Sequence, residues 1–141
     1  MIFIFFVVHV YSFDVKGGSI SGYYTIQEIT AMFQNISAAD PSLEYSSIGH
    51  TFLGEQIPSI RLPNPGAPKV LVIGGHHPRE LISVTQVLYL LDKILHPVDT
   101  RAEEFKRSLE FLFVPVLNVD TYKLVGDNYM ETNQILSLIH I

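Results

Sequence analysis

The sequence has 141 residues, 48% hydrophobic and 16% charged, a balance that excludes a disordered chain and suffices for a real core. A formal net charge of −5 leaves no basic footprint for nucleic acid or an anionic lipid surface. Cysteine is absent, so disulfides and thiolate metal sites are excluded and any metal must be held by His, Asp or Glu.

Met1 to Val10 reads MIFIFFVVHV. The run is too short to span a bilayer, which takes about 20 residues, and has the length of a secretory h-region, although the charged n-region is missing. Residues 1–12 are expected to be a signal peptide, which makes the chain secreted or lumenal; the alternatives are a buried strand or a truncated start. Lys16 to Gly22 is rich in turn formers and reads as a flexible lead-in. Thr25-Ile26-Gln27-Glu28 has the form of a capping box. Ile26, Ile29, Met32, Phe33 and Ile36 then follow at helical spacing, so an amphipathic helix is expected over residues 26–37. Asn35-Ile36-Ser37 is a glycosylation sequon at the end where that helix frays. Asp40-Pro41 closes it.

Leu43 to Ile48 and Ile57 to Leu62 are strand patterns joined by a glycine-flanked connection, which predicts an antiparallel pair. His50 lies in that connection without an acidic or histidine partner nearby, the pattern of a solvated loop histidine. After the proline-rich loop Pro63 to Pro68, Lys69 to Gly74 is a continuous apolar run, the signature of a strand buried on both faces. Val84, Val87, Leu88, Leu91, Ile94 and Leu95 predict a helix to about Leu95, stopped by His96-Pro97. His96 reads as a surface residue favoured by the helix dipole. Thr100 to Glu103 has the form of a second capping box, opening a short charged helix through about Arg107. Leu109 to Val114 is a further strand, with Pro115 to Asp120 at its exit. Strand, helix, helix, strand is a crossover that makes the two strands parallel, and ligands of such sheets bind beyond the carboxyl ends of the strands. Those exits carry His77 and Glu80 on one side and Asn118 and Asp120 on the other.

The stretch Gly74-Gly75-His76-His77-Pro78-Arg79-Glu80 is where chemistry is expected. Zinc takes neutral imidazole or carboxylate donors, three from the protein in a catalytic site. A histidine and a glutamate three residues apart, across a tight turn entering a helix, can aim at one point. His76 has only Arg79 at the same spacing, so His77 is the metal candidate and His76 orients or packs nearby. Gly74 and Gly75 leave the backbone free to bend and a ligand free to approach. By itself H-x-x-E is a weak motif, and a helix-start glutamate favoured by the dipole explains it about as well.

Several segments, in order, resemble the zinc metallocarboxypeptidases of the carboxypeptidase A and B type. Tyr23 to Ile29 resembles the helix start of their catalytic domain, and Ile48 to Ile57 their Ile-Gly-x-(Ser/Thr)-x-x-Gly-x-x-Ile hairpin. Gly75 to Glu80 resembles their Gly-x-His-x-Arg-Glu metal motif, and Phe113 to Asp120 the strand that ends in Asn-Pro-Asp-Gly. The resemblance implies an α/β fold, with a mixed, mostly parallel sheet and helices on both faces, of which residues 23–135 form the N-terminal part. It implies one Zn2+ ion held by His77, Glu80 and a third ligand lying further on. It places Arg79 on the substrate cleft and makes the reaction the hydrolysis of C-terminal peptide bonds. Peptide or protein C-termini would be the substrates of a monomer, with no nucleic acid and no membrane span.

The departures are as informative. Asn118-Val119-Asp120-Thr121 lacks the Pro and Gly of that turn, and Asp127 to Asn133 stands where the family grips the substrate carboxylate. The catalytic glutamate, the third histidine and the specificity pocket have no counterpart here. His140 is rejected as third ligand because it lies in the terminal Leu136 to Ile141, which reads like a translated library-preparation adapter; the native sequence is expected to end near Gln134 or Ile135. The polypeptide as written is therefore expected to be inactive. Two other readings stand beside this one: a zinc-dependent amino-acid deacylase, and a non-catalytic degenerate homologue acting as a binding module.

Overall fold

The computed structural model describes residues 17–134. The expected signal peptide at 1–12, His140 and the tail 136–141 lie outside the described residues. The elements run α1 (Ile26–Ala39), β1 (Glu44–His50), β2 (Gln56–Leu62), β3 (Lys69–Ile73), α2 (Leu81–Leu95), α3 (Thr100–Ser108), β4 (Glu110–Val114) and α4 (Val119–Thr132).

The strands form one sheet in the order β1-β2-β4-β3. β1 and β2 are antiparallel, as are β2 and β4, whereas β3 and β4 are parallel with Val72 opposite Phe113. The fold is the expected mixed α/β type; within the described residues the parallel part is confined to β3 and β4. Those pairings leave β1, β3 and β4 pointing the same way, so their carboxyl ends share one end of the sheet.

The core gathers on a single face. Ile60 and Leu62 of β2, Phe111 and Phe113 of β4, and Val70 and Val72 of β3 meet buried residues of α1, α2 and α4 there. The Phe111 and Phe113 rings stack at 5.6 Å. On the other face Arg61 lies opposite Leu112, and Leu112 opposite Leu71. Leu71 is 57% exposed, so β3 is not the doubly buried strand its apolar run predicts. It is an edge strand of the described sheet, as is β1, and an apolar run does not show whether anything covers a strand's second face. On that face Glu110 is buried and bonded to Arg61 through Nε at 3.1 Å and Nη2 at 3.0 Å.

The capping box of α1 forms as read. The Thr25 hydroxyl accepts the Glu28 N–H at 3.2 Å, and the Glu28 carboxylate accepts the Thr25 N–H at 2.6 Å. That carboxylate also takes the Ser19 N–H at 3.2 Å, and here the expectation of a flexible lead-in fails. Gly18 pairs with Gly22 and Ile20 with Tyr23 in antiparallel bridges, and Ile20 is fully buried. One apolar side chain in a turn-rich stretch is enough to anchor it.

Other boundaries shift for local reasons. α1 runs to Ala39, so Asn35 is exposed inside the helix rather than at a fraying end, and the Ser37 hydroxyl is committed to the Leu43 carbonyl at 2.8 Å. α3 is capped one residue earlier than its sequence suggests, by the Asp99 carboxylate accepting the Ala102 N–H at 2.8 Å. α4 (Val119–Thr132) has no counterpart among the sequence expectations. Asn118 is its N-cap, with its side-chain oxygen accepting from the Thr121 N–H, and Val119, Tyr122 and Val125 bury one face.

Candidate metal centre

The turn that carries His77 is built against the exit of β4. The Gly74 N–H extends the parallel ladder to the Val114 carbonyl at 3.0 Å. The Leu117 and Asn118 N–H groups then bond back to the Gly74 and Gly75 carbonyls at 3.1 and 3.0 Å. The Asn118 side-chain amide donates to the His76 carbonyl at 3.4 Å. The two strand exits therefore meet as the sequence predicts, through backbone groups and one side chain.

The glycines are explained by crowding rather than by looseness. A Cβ on Gly74 would lie 2.8 Å from both the Pro115 and Ser83 carbonyl oxygens. Gly75 has φ +58°, in the left-handed region, and a Cβ there would lie 2.8 Å from the Val116 Cα. The pair lets the turn lie flat on β4's exit.

Beyond the glycines the Glu80 N–H bonds to the His77 carbonyl at 3.1 Å. An i to i+3 turn of this kind keeps the two Cα atoms within about 7 Å, so His77 and Glu80 are brought together in one turn. Both are exposed, as are His76 and Arg79, while Pro78 between them is buried. Glu80 is the N-cap residue of α2, yet its carboxylate makes no cap bond. That departs from the usual use of a side chain at this position and leaves the carboxylate available.

Asp120 and His96 are engaged elsewhere. Asp120 accepts from the Thr51 hydroxyl at 2.5 Å and the Leu53 N–H at 3.2 Å, so it braces the β1–β2 hairpin rather than the His77–Glu80 turn. His50 is exposed at the end of β1. His96 caps α2 with its ring Nδ1 3.0 Å from the buried Asp92 carboxylate; it is a paired residue instead of a free surface histidine. Among the described residues no group of three His, Cys, Asp or Glu side chains could hold a metal ion. Sequence reading missed Ser83, whose hydroxyl sits between the Gly75 N–H and the Glu80 carbonyl; a serine on the third residue of a helix carries no signal of that by itself.

A profile of the zinc carboxypeptidases matches residues 29–134. The chain belongs to the zinc carboxypeptidase family. At the level of family, the match favours the carboxypeptidase reading over the deacylase. Carboxypeptidase B of Bos taurus is 31% identical over 111 residues, covering 75% of this chain and 27% of its own length. A protein of Paracoccidioides brasiliensis (strain Pb03) named "Inactive metallocarboxypeptidase ECM14" is 29% identical, covering 79% and 22%. The chain thus spans roughly a fifth to a quarter of these relatives. Among solved structures, thrombin activatable fibrinolysis inhibitor superposes with TM-score 0.68 at 19% identity over 78% of this chain and 29% of that one. Carboxypeptidase A from Helicoverpa armigera gives 0.67 at 22% identity over 79% and 29%. These likenesses carry the fold. No single helix of the described residues is long and apolar enough to cross a membrane.

Proposed function

We propose that this chain is the N-terminal part of a secreted, monomeric metallocarboxypeptidase-type hydrolase that removes C-terminal amino acids from peptides, with His77 and Glu80 as two of its zinc ligands and Arg79 facing the substrate. The observation that carries the reading is the closed turn joining His77 to Glu80 at the carboxyl end of a parallel strand pair, with the Glu80 carboxylate unused as a cap.

An imidazole and a carboxylate are donors that zinc accepts, but a catalytic site takes three. The described residues therefore supply part of a site, and the missing donor must come from outside them. When bound, zinc supplies Lewis-acid polarisation of a carbonyl and a water of pKa near 7. The chain's own contribution is positional. The β4 exit fixes the turn, and Arg79, exposed and paired with no described acid, offers a fixed positive charge to a peptide carbonyl or carboxylate.

The 141-residue polypeptide should show weak zinc binding that His77→Ala and Glu80→Gln each abolish, and no turnover of a peptide with a free C-terminus beyond that of its C-terminally blocked twin. Zinc binding unchanged in both variants would overturn the ligand assignment. Turnover specific to the free end would overturn the expectation of inactivity. A second reading, a non-catalytic homologue, draws support from relatives that are themselves named inactive. A longer coding sequence carrying neither a further histidine ligand nor a glutamate base would decide for it.

A further inference from the structure

The turn between Gly75 and Glu80 has a second closure that the family resemblance does not account for. The Ser83 hydroxyl accepts a hydrogen bond from the Gly75 N–H at 3.1 Å and donates one to the Glu80 carbonyl at 2.8 Å. One oxygen thus holds both ends of the segment that carries His77 and Glu80. The Ser83 N–H also bonds to the Glu80 carbonyl, at 2.9 Å, so that carbonyl is gripped twice from the first turn of α2. On the other side the Gly75 and His76 carbonyls are held by Asn118. The segment is clamped between β4's exit and α2.

We propose that Ser83 is a positioning residue for the His77–Glu80 pair: its hydroxyl fixes the separation of the turn's two ends, and with it the spacing of the two donors. The proposal rests on the reading of that pair as metal ligands. The argument is one of entropy. An exposed turn with no clamp samples many backbone states, and each ligand would have to be ordered at the moment of binding. A hydroxyl that satisfies the left-handed Gly75 amide and the N-cap carbonyl together removes that freedom before the metal arrives. Groups that hydrogen-bond to ligand side chains from behind typically cost 10- to 100-fold in metal affinity when removed, and Ser83, which holds the backbone on either side of the ligands, acts in the same direction. Ser83 suits the task because it lies three residues into α2, close enough to the helix start for a short side chain to reach back.

The test uses the 141-residue chain and its Ser83→Ala, Ser83→Thr and His77→Ala variants, with Zn2+ alone as the probe. Two readouts are followed: zinc affinity, from imidazole resonances, and amide exchange at Gly75, Leu88 and Leu91 without metal. The expected result is that Ser83→Ala weakens zinc affinity about 10-fold or more and speeds exchange at Gly75 while leaving Leu88 and Leu91 protected. Ser83→Thr, which keeps the hydroxyl, should restore both. Wild-type zinc affinity in Ser83→Ala overturns the proposal. So does a loss of protection at Leu88 and Leu91 equal to that at Gly75, because the serine would then only stabilise the helix. If His77→Ala binds zinc as tightly as wild type, the ligand reading falls, and Gly75 exchange still reports separately whether the clamp exists.

Discussion

The Thr51 hydroxyl donates a 2.5 Å hydrogen bond to the Asp120 carboxylate, joining residues 69 positions apart. The other Asp120 oxygen takes the Leu53 N–H, and one turn further along α4 Lys123 reaches Glu55. The first turns of α4 therefore hold the tip of the β1–β2 hairpin, where Phe52 is 99% exposed. Two residues before Asp120, Asn118 holds the turn that carries His77. One helix start braces both loops.

Asp120→Ala should cost about 1–3 kcal/mol, since hydrogen bonds to a charged acceptor are among the stronger ones. Lys123→Ala should cost less, because its ion pair with Glu55 is solvated on both sides. Urea unfolding of the two variants checks the ranking. Amide exchange at Leu53 should quicken in the first variant and stay unchanged in the second.

Gly74→Ala and Gly75→Ala should both be destabilising, by about 1–3 kcal/mol or more. The new methyl meets backbone atoms in each case, and backbone cannot swing aside as the end of a side chain can. Gly75→Ala also places a side chain at positive φ. Thermal unfolding measures both; a melting temperature within a degree of wild type in either would contradict this account of the turn.

The capping box makes stability depend on acid. Burial pushes the Glu28 carboxyl up, but hydrogen bonds from Thr25 and Ser19 outweigh it and hold the group below its ordinary 4.5. A carboxyl lowered on folding contributes stability that is present above the unfolded value and lost as pH falls through the folded one. Glu28→Gln should therefore be less stable than wild type at neutral pH and lose less on acidification below about pH 4.5. Thr25→Ala should cost about 0.5–2 kcal/mol at neutral pH. Denaturant midpoints against pH give both results.

At the alkaline end the relevant group is Tyr122, buried and donating from its hydroxyl to the Tyr24 carbonyl at 2.6 Å. Burial pushes this hydroxyl well above its ordinary 10, and the nearby Glu28 charge adds to the effect. The folded chain thus keeps a proton that the unfolded chain loses above about pH 10, and stability falls as pH rises beyond that point. Tyr122→Phe should cost about 0.5–1.5 kcal/mol at neutral pH and show a shallower alkaline decline.

What the sequence revealed was mostly local. The Thr25–Glu28 box and the helical spacing from Val84 to Leu95 depend on residues a few positions apart, and the β3–β4 crossover follows from the order of the elements between Lys69 and Val114; each is present. The misses involve distant partners. Ile20 is anchored because Gly126 of α4 leaves room for it, which no reading of residues 16–22 could disclose. α4 carried a usable signal: Asn118 as cap, then Val119, Tyr122, Val125 and Tyr129 at helical spacing. The same residues, Asn118 to Asp120, also resemble a family turn, which is compatible with a loop as much as with a helix start. At the candidate site the meeting of the strand exits was legible from topology. The diversion of Asp120 to Thr51 was not, because it depends on a hairpin closing onto α4.

The exposed Leu71 on the outermost strand has a practical consequence. β3 has no neighbour on its outer side among the described residues, so its backbone can template another strand, and the leucine gives that contact an apolar seam. Preparations of this polypeptide by itself should stick to one another as concentration rises. A Leu71→Lys exchange, by placing a charge on the seam, should keep more of the material soluble without touching the turn that bears His77.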